Sequence, residues 1–158
     1  MKRFTTLFMF LLVMAFASAS FGLTPGSAVQ SLTSTRQGEI LTVNFAFTAS
    51  PDDGAMPAIA TSTAISTAIT GMYLFAVETN PGNVAVPDAW SVTVTNAAGF
   101  DLLGGAGATR STTLTQRVIP SVATGIYGAS LVDGILYLNI TGNTTPSATG
   151  SVKLFLSK

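Results

Sequence analysis

The chain has 158 residues with 15 Gly, 7 Pro, no Cys, no His and 9% charged residues, which is enough for one domain and short for two. Without Cys there are no disulfides, thiolate metal sites or thiol nucleophiles, and without His the commonest general base and transition-metal ligand are missing. Seven basic groups balance seven acidic ones, so nothing resembles the basic footprint that a phosphate backbone attracts, and nucleic acid is not expected as a partner.

The first residues carry a leader. Lys2-Arg3, an apolar run from Phe4 to Phe16 broken only by Thr5 and Thr6, and Ala17-Ser18-Ala19 form the basic, apolar and small-x-small parts of a secretory signal peptide. The inner run Leu7 to Ala17 spans about 16 Å as a helix, against roughly 30 Å of hydrocarbon, and so is too short for an ordinary membrane span. The sequence therefore predicts a signal-like helix over residues 1–19, with 22 as its outer limit, cleaved after Ala19. A single domain over 20–158 follows, exported to the periplasm, the cell surface or the medium and with no stable membrane span once the leader is cut. The rival reading is an uncleaved anchor or a buried N-terminal helix.

Removal of Lys2 and Arg3 leaves five basic groups against seven acidic ones, and Lys occurs only at 153 and 158. Solubility then rests on hydroxyls and amides rather than on charge, a composition suited to packing against other protein subunits, copies of this chain included.

The stretch Ser27 to Gly38 has no pattern that assigns it. From Leu41 alternation takes over: Leu41, Val43, Phe45 and Phe47 are large and apolar while the residues between them are small or polar, as a strand with one buried face requires. Ile59 to Thr70 holds Ser-Thr-Ala-Ile twice in tandem. The four-residue spacing of Ile65 and Ile69 fits a helix, but the β-branched content favours a strand, which is the expectation adopted. Met72 to Val77 is apolar on both faces and is expected centrally, covered on both sides. Trp90, Val92 and Val94 alternate with Ser91, Thr93 and Thr95. Leu136, Leu138 and Ile140 form another such row, as do Val152, Leu154 and Leu156.

Turn signals punctuate these runs at Pro51-Asp52-Asp53-Gly54, Asn80-Pro81-Gly82-Asn83, Ala97-Ala98-Gly99, Asp133-Gly134, and Gly142-Asn143 with Pro146. The fold class predicted is all-β: an antiparallel β-sandwich or jelly-roll-like barrel of seven to nine short strands with little helix.

Candidate chemistry is sparse. The run Leu103 to Ser111 is Gly-rich but lacks the Gly-Lys-Ser/Thr ending and the following helix of a phosphate cradle, so it reads as a tight loop where chains approach closely. The carboxylates Glu39, Asp52, Asp53, Glu78, Asp88, Asp101 and Asp133 fall mostly beside turns, and one Trp with three Tyr supplies few sugar platforms for a glycosidase. Asp52-Asp53-Gly54 lacks the alternating oxygens of a calcium loop. Thr-x-Thr elements recur without the constant spacing that a water-templating ladder needs, and the Asn139-Ile140-Thr141 and Asn143-Thr144-Thr145 acceptor patterns are those expected by chance in a Thr-rich chain. No catalytic residue, metal or cofactor is predicted.

From about Gly71 to Leu156 the order of elements resembles small β-rich proteins encoded among the virion-structure genes of tailed bacteriophages. The resemblance is carried by Ala89 to Thr95, Asp101 to Gly107, Arg110-Ser111, the Pro120 region, Val132 to Asn143 and Ala148 to Leu154. It implies a non-enzymatic virion component that acts through protein contacts, and it carries over no catalytic residue. The leader departs from that pattern, since virion parts assembled in the cytoplasm need no export signal.

The function expected is accordingly a structural or interaction protein, exported or virion-associated, docking on a repeating assembly or surface. Trp90, Arg110 and Arg117 are the candidate contact residues because Arg and Trp dominate interface energetics, although Trp90 also suits the core. The alternative is a secreted carbohydrate-binding module using Tyr73, Trp90, Tyr127 and Tyr137 against a glycan.

Overall fold

A computed structural model describes residues 23–35 and 40–158. The signal-like leader and Glu39 lie outside the described residues. Within them the protein is a β-sandwich of antiparallel sheets. The strands among the described residues are β1 (Ser27–Thr35), β2 (Ile40–Thr48), β3 (Ile59–Ala60), β4 (Tyr73–Pro81), β5 (Ser91–Thr95), β6 (Gln116–Val118), β7 (Ser121–Ala123), β8 (Ile126–Tyr127), β9 (Ser130–Leu131), β10 (Tyr137–Thr141) and β11 (Thr149–Ser157), and a helix, α1, spans Thr63–Ile69. The number of strands exceeds the expected seven to nine because short pieces such as β3, β8 and β9, at two residues each, are too brief to leave an alternation in the sequence.

The main sheet runs β1-β2-β11-β4-β6, with β9 also on β4. A second sheet runs β3-β10-β5, and β7-β8 form a separate hairpin. The alternating rows point into the space between the two large sheets. Val43, Phe45 and Phe47 of β2, Val152, Leu154 and Leu156 of β11, and Leu74 and Val77 of β4 meet Val92 and Val94 of β5 and Leu138 and Ile140 of β10 in one core. β11 is the hub, paired with β2 along one side and β4 along the other.

Leu74 and Val77 are both buried although three residues apart, which a regular strand forbids. A register shift between Phe155 and Leu156 makes Phe75 the extra residue of a β-bulge, restoring the inward row and turning Phe75 outward. Its ring lies 6.3 Å from that of Phe155. The segment expected to be covered on both faces is therefore central in the sheet, but among the described residues its outer face is sheltered by neighbouring side chains alone, and Tyr73 is 45% exposed.

The stretch Ile59 to Thr70 corrects the strand expectation, since only Ile59–Ala60 is strand and Thr63–Ile69 is helix. Three local features outweigh the β-branched content. Ser62 caps the first turn by accepting from the Ile65 amide. The Ser66, Thr67 and Thr70 hydroxyls donate to the carbonyls four residues back, so these polar side chains find partners inside the helix without diverting its backbone amides. Finally, the Thr61 and Ser66 hydroxyls meet at 2.7 Å in the interior, where Thr61 Oγ1 also accepts from the Leu136 amide, and Ile65 and Ile69 enter the core.

Candidate functional site

The three candidate contact residues are not gathered together. Trp90 is completely buried, tilted against Phe47 at 5.9 Å between ring centroids, with its Nε1 donating to the Ser111 carbonyl at 3.1 Å. It is a core residue and cannot reach a partner, which also removes it from the sugar platform. Arg110 forms an isolated bridge with Trp90 and turns its Nε back onto the Ala108 carbonyl at 2.9 Å, and burial pulls its pKa below the usual guanidinium value. Tyr73, Tyr127 and Tyr137 fall on the main sheet, the hairpin and the second sheet respectively, so no single aromatic face assembles.

Arg117 is different. β6 carries it at the edge of the main sheet, with its guanidinium carbon 4.5 Å over the Phe155 ring and its Nη2 donating to Glu78 Oε2 at 2.7 Å. Lys153 donates to the other oxygen, Oε1, at 3.0 Å. The Lys153 hydrogen bond, followed by that of Arg117, holds the Glu78 carboxyl below its ordinary value of 4.5. A depressed folded-state pKa contributes stability above the unfolded value and loses it as pH falls through the folded one. With no His to titrate, the unfolding midpoint is expected to stay level from about pH 8 to pH 5 and to fall in more acidic solution. Asp53, lowered by its bond from the Ala55 amide and by the Ser50 side chain, adds to the same limb. Thermal melts of Glu78→Gln at pH 3 to 8 check the assignment: the acid limb should be shallower than in the native chain, and an unchanged limb contradicts it.

Beyond Arg117 the chain leaves the sheet. Ser121 donates its amide to Leu103 O at 3.0 Å and Gly128 donates to Pro120 O at 3.0 Å, so a hairpin of β7 and β8 is seated against the Gly104-Gly105 loop. Asp101 shapes that loop, its Oδ1 accepting from the Leu103 amide at 3.0 Å and its Oδ2 from Gly105 at 2.9 Å. Ile119 (53%), Val122 (55%), Ile126 (58%) and Tyr127 (66%) are each more than half exposed. An open groove of about 550 Å³ lies between hairpin and sheet, floored by Gly104, Gly105 and Ala106 and walled by Arg117, Ile119 and Tyr127.

At three and two residues, β7 and β8 are too short to leave an alternation in the sequence. The hairpin's one signal is that Ile119, Val122 and Ile126 surround the Thr124-Gly125 turn without a polar alternation to bury them.

The described carboxylates serve local geometry. Asp52 accepts from the Thr24 amide, Asp88 from Thr112 and Asp133 from the Asn96 side chain, in addition to the pairings of Asp53, Glu78 and Asp101. Among the described residues no cluster of three or more acidic, His or Cys side chains is placed to hold a metal ion, and no helix is long and apolar enough to cross a membrane. The chain matches no protein-family model, no curated protein and no solved structure.

Proposed function

We propose that the protein is a non-enzymatic structural or interaction protein, exported or virion-associated, which docks on a repeating protein assembly or surface through the β7-β8 hairpin and the groove beside Arg117. The observation that carries this reading is the hairpin itself. A two-stranded ribbon outside both sheets is marginal on its own, yet this one displays Val122, Ile126 and Tyr127 to solvent, with Ile119 exposed just before it. Such a surface costs solubility unless a partner covers it. Arg117 beside Tyr127 supplies the residue types that anchor interfaces, and Glu78 fixes the guanidinium in place.

The double variant Ile126→Ser/Tyr127→Ser tests the reading, because both side chains are exposed and their loss should leave the melting temperature within a few degrees of the native chain. Co-sedimentation with purified particles or cell surfaces is expected to weaken about tenfold or more. Sedimentation equal to that of the native chain, or turnover of a substrate by the purified protein, refutes the proposal.

A further inference from the structure

The sheet edges of this molecule are treated unequally. The outer edge of β5 is closed by the loop that follows it: Val92 donates to Gly107 O at 2.9 Å, Leu102 to Val94 O at 2.8 Å, Arg110 to Trp90 O at 2.7 Å, and the Val94 amide reaches Asp101 Oδ1. β3 is two residues long, and the Gln30 side chain caps its Ala60 carbonyl at 2.7 Å. At the far side of the main sheet β6 and β9 are three and two residues long, and β6 bears the charged Arg117.

Among the described residues β1 shows none of these protections. Among the described residues it pairs only with β2, over nine residues, Ser27 to Thr35, with no charge and no proline. Ser31 to Thr35 are all exposed, Val29 is 75% exposed and Leu32 38%. Long edges are ordinarily blunted by Lys, Pro, a bulge or a cover, because their free amides and carbonyls template another strand.

We propose that β1 is a strand-addition edge whose occupant is β1 of a second copy of this chain, paired antiparallel about Ser31. In that register Ser31 faces the partner's Ser31, Val29 faces the partner's Thr33 and Gln30 faces the partner's Leu32. Each pair keeps its place on the outer or inner side of the joined sheet, and each exposed apolar side chain gains a cross-strand neighbour. Two uncharged edges also meet without repulsion. The outer-face row Ser31, Asn44, Lys153, Glu78 and Arg117, which crosses five strands in register, would then continue through the two-fold axis into the second copy. Since β1 and β6 lie at opposite edges of the main sheet, this contact is independent of the hairpin and stands or falls apart from it.

Charge reversal at the two-fold axis gives the test, read by light scattering on size-exclusion fractions at micromolar concentrations. The native chain is expected to be a dimer, Ser31→Lys and Ser31→Glu to be monomers with unchanged circular dichroism, and an equimolar mixture of the two variants to recover the dimer. A native dimer that both variants retain overturns the proposal, as does a mixture that stays monomeric. A monomeric native chain overturns it too, whether the β1 amides exchange freely or are protected by another part of the same chain, and capture of β1 by a different protein's strand would then be the surviving use of the edge.

Discussion

Replacing Trp90 with Ala is expected to lower stability by about 3–5 kcal/mol, the largest single effect of any substitution in the core. The ring is fully buried at the point where the start of β5, the Phe47 ring and the Ser111 loop converge, and its loss opens a cavity that these three cannot jointly fill. The indole also satisfies a carbonyl that would be left without a donor. Trp90→Phe separates the two contributions: it retains most of the apolar surface and should cost roughly 1–2 kcal/mol. Urea titration monitored by circular dichroism measures both. A Trp90→Ala loss below about 1 kcal/mol would mean that the core repacks around the gap, contrary to the close packing of the indole against Phe47.

The second large effect belongs to Gly104. Its φ is +55°, and a Cβ there would run into the carbonyl oxygen of Ser121. Neither backbone can move aside freely, because Ser121 is tied to Leu103 O and the Gly104 amide to Asp101 O. Gly104→Ala should therefore cost on the order of 2–3 kcal/mol and displace the hairpin from its seat. Gly105→Ala is the matched comparison, since that glycine also has a positive φ, +83°, but open space where its Cβ would stand. It should show only the backbone strain of about 1–2 kcal/mol. Equal losses in the two variants would show that close approach to Ser121 is not what requires glycine at position 104. Particle binding provides a second readout, because Gly104→Ala should impair docking even at temperatures where the sandwich remains folded.

Much of the sandwich was legible in the residues because its central strands bury one face and expose the other. The rows Val43-Phe45-Phe47, Val92-Val94, Leu138-Ile140 and Val152-Leu154-Leu156 are all interior. What escaped was decided by partners distant in the chain or by hydrogen bonds too local for periodicity to register. The α1 segment has the composition of a strand and becomes a helix through its Ser62 cap and the buried Thr61 to Ser66 hydroxyl pair. β1 alternates neither in hydrophobicity nor in charge, and its pairing with β2 is what makes it a strand. The bulge at Phe75 breaks the period of two within the most apolar run in the core. Of the contact residues, Arg117 lines the groove while Trp90 and Arg110 are held by structural roles, a division that only the packing could reveal.

The position of β11 governs the order of events as the chain folds. β2 and β4 are synthesised long before it, but they are not neighbours, and each is paired with β11 across a wide sequence separation. The main sheet cannot close around its middle until this late segment arrives, so loop-closure entropy is spent before most native contacts can form. Folding in milliseconds to seconds, rather than microseconds, is the kinetic consequence. For that interval β2, already able to pair with β1, and β4 leave uncovered the inward rows and the amides that β11 later takes up.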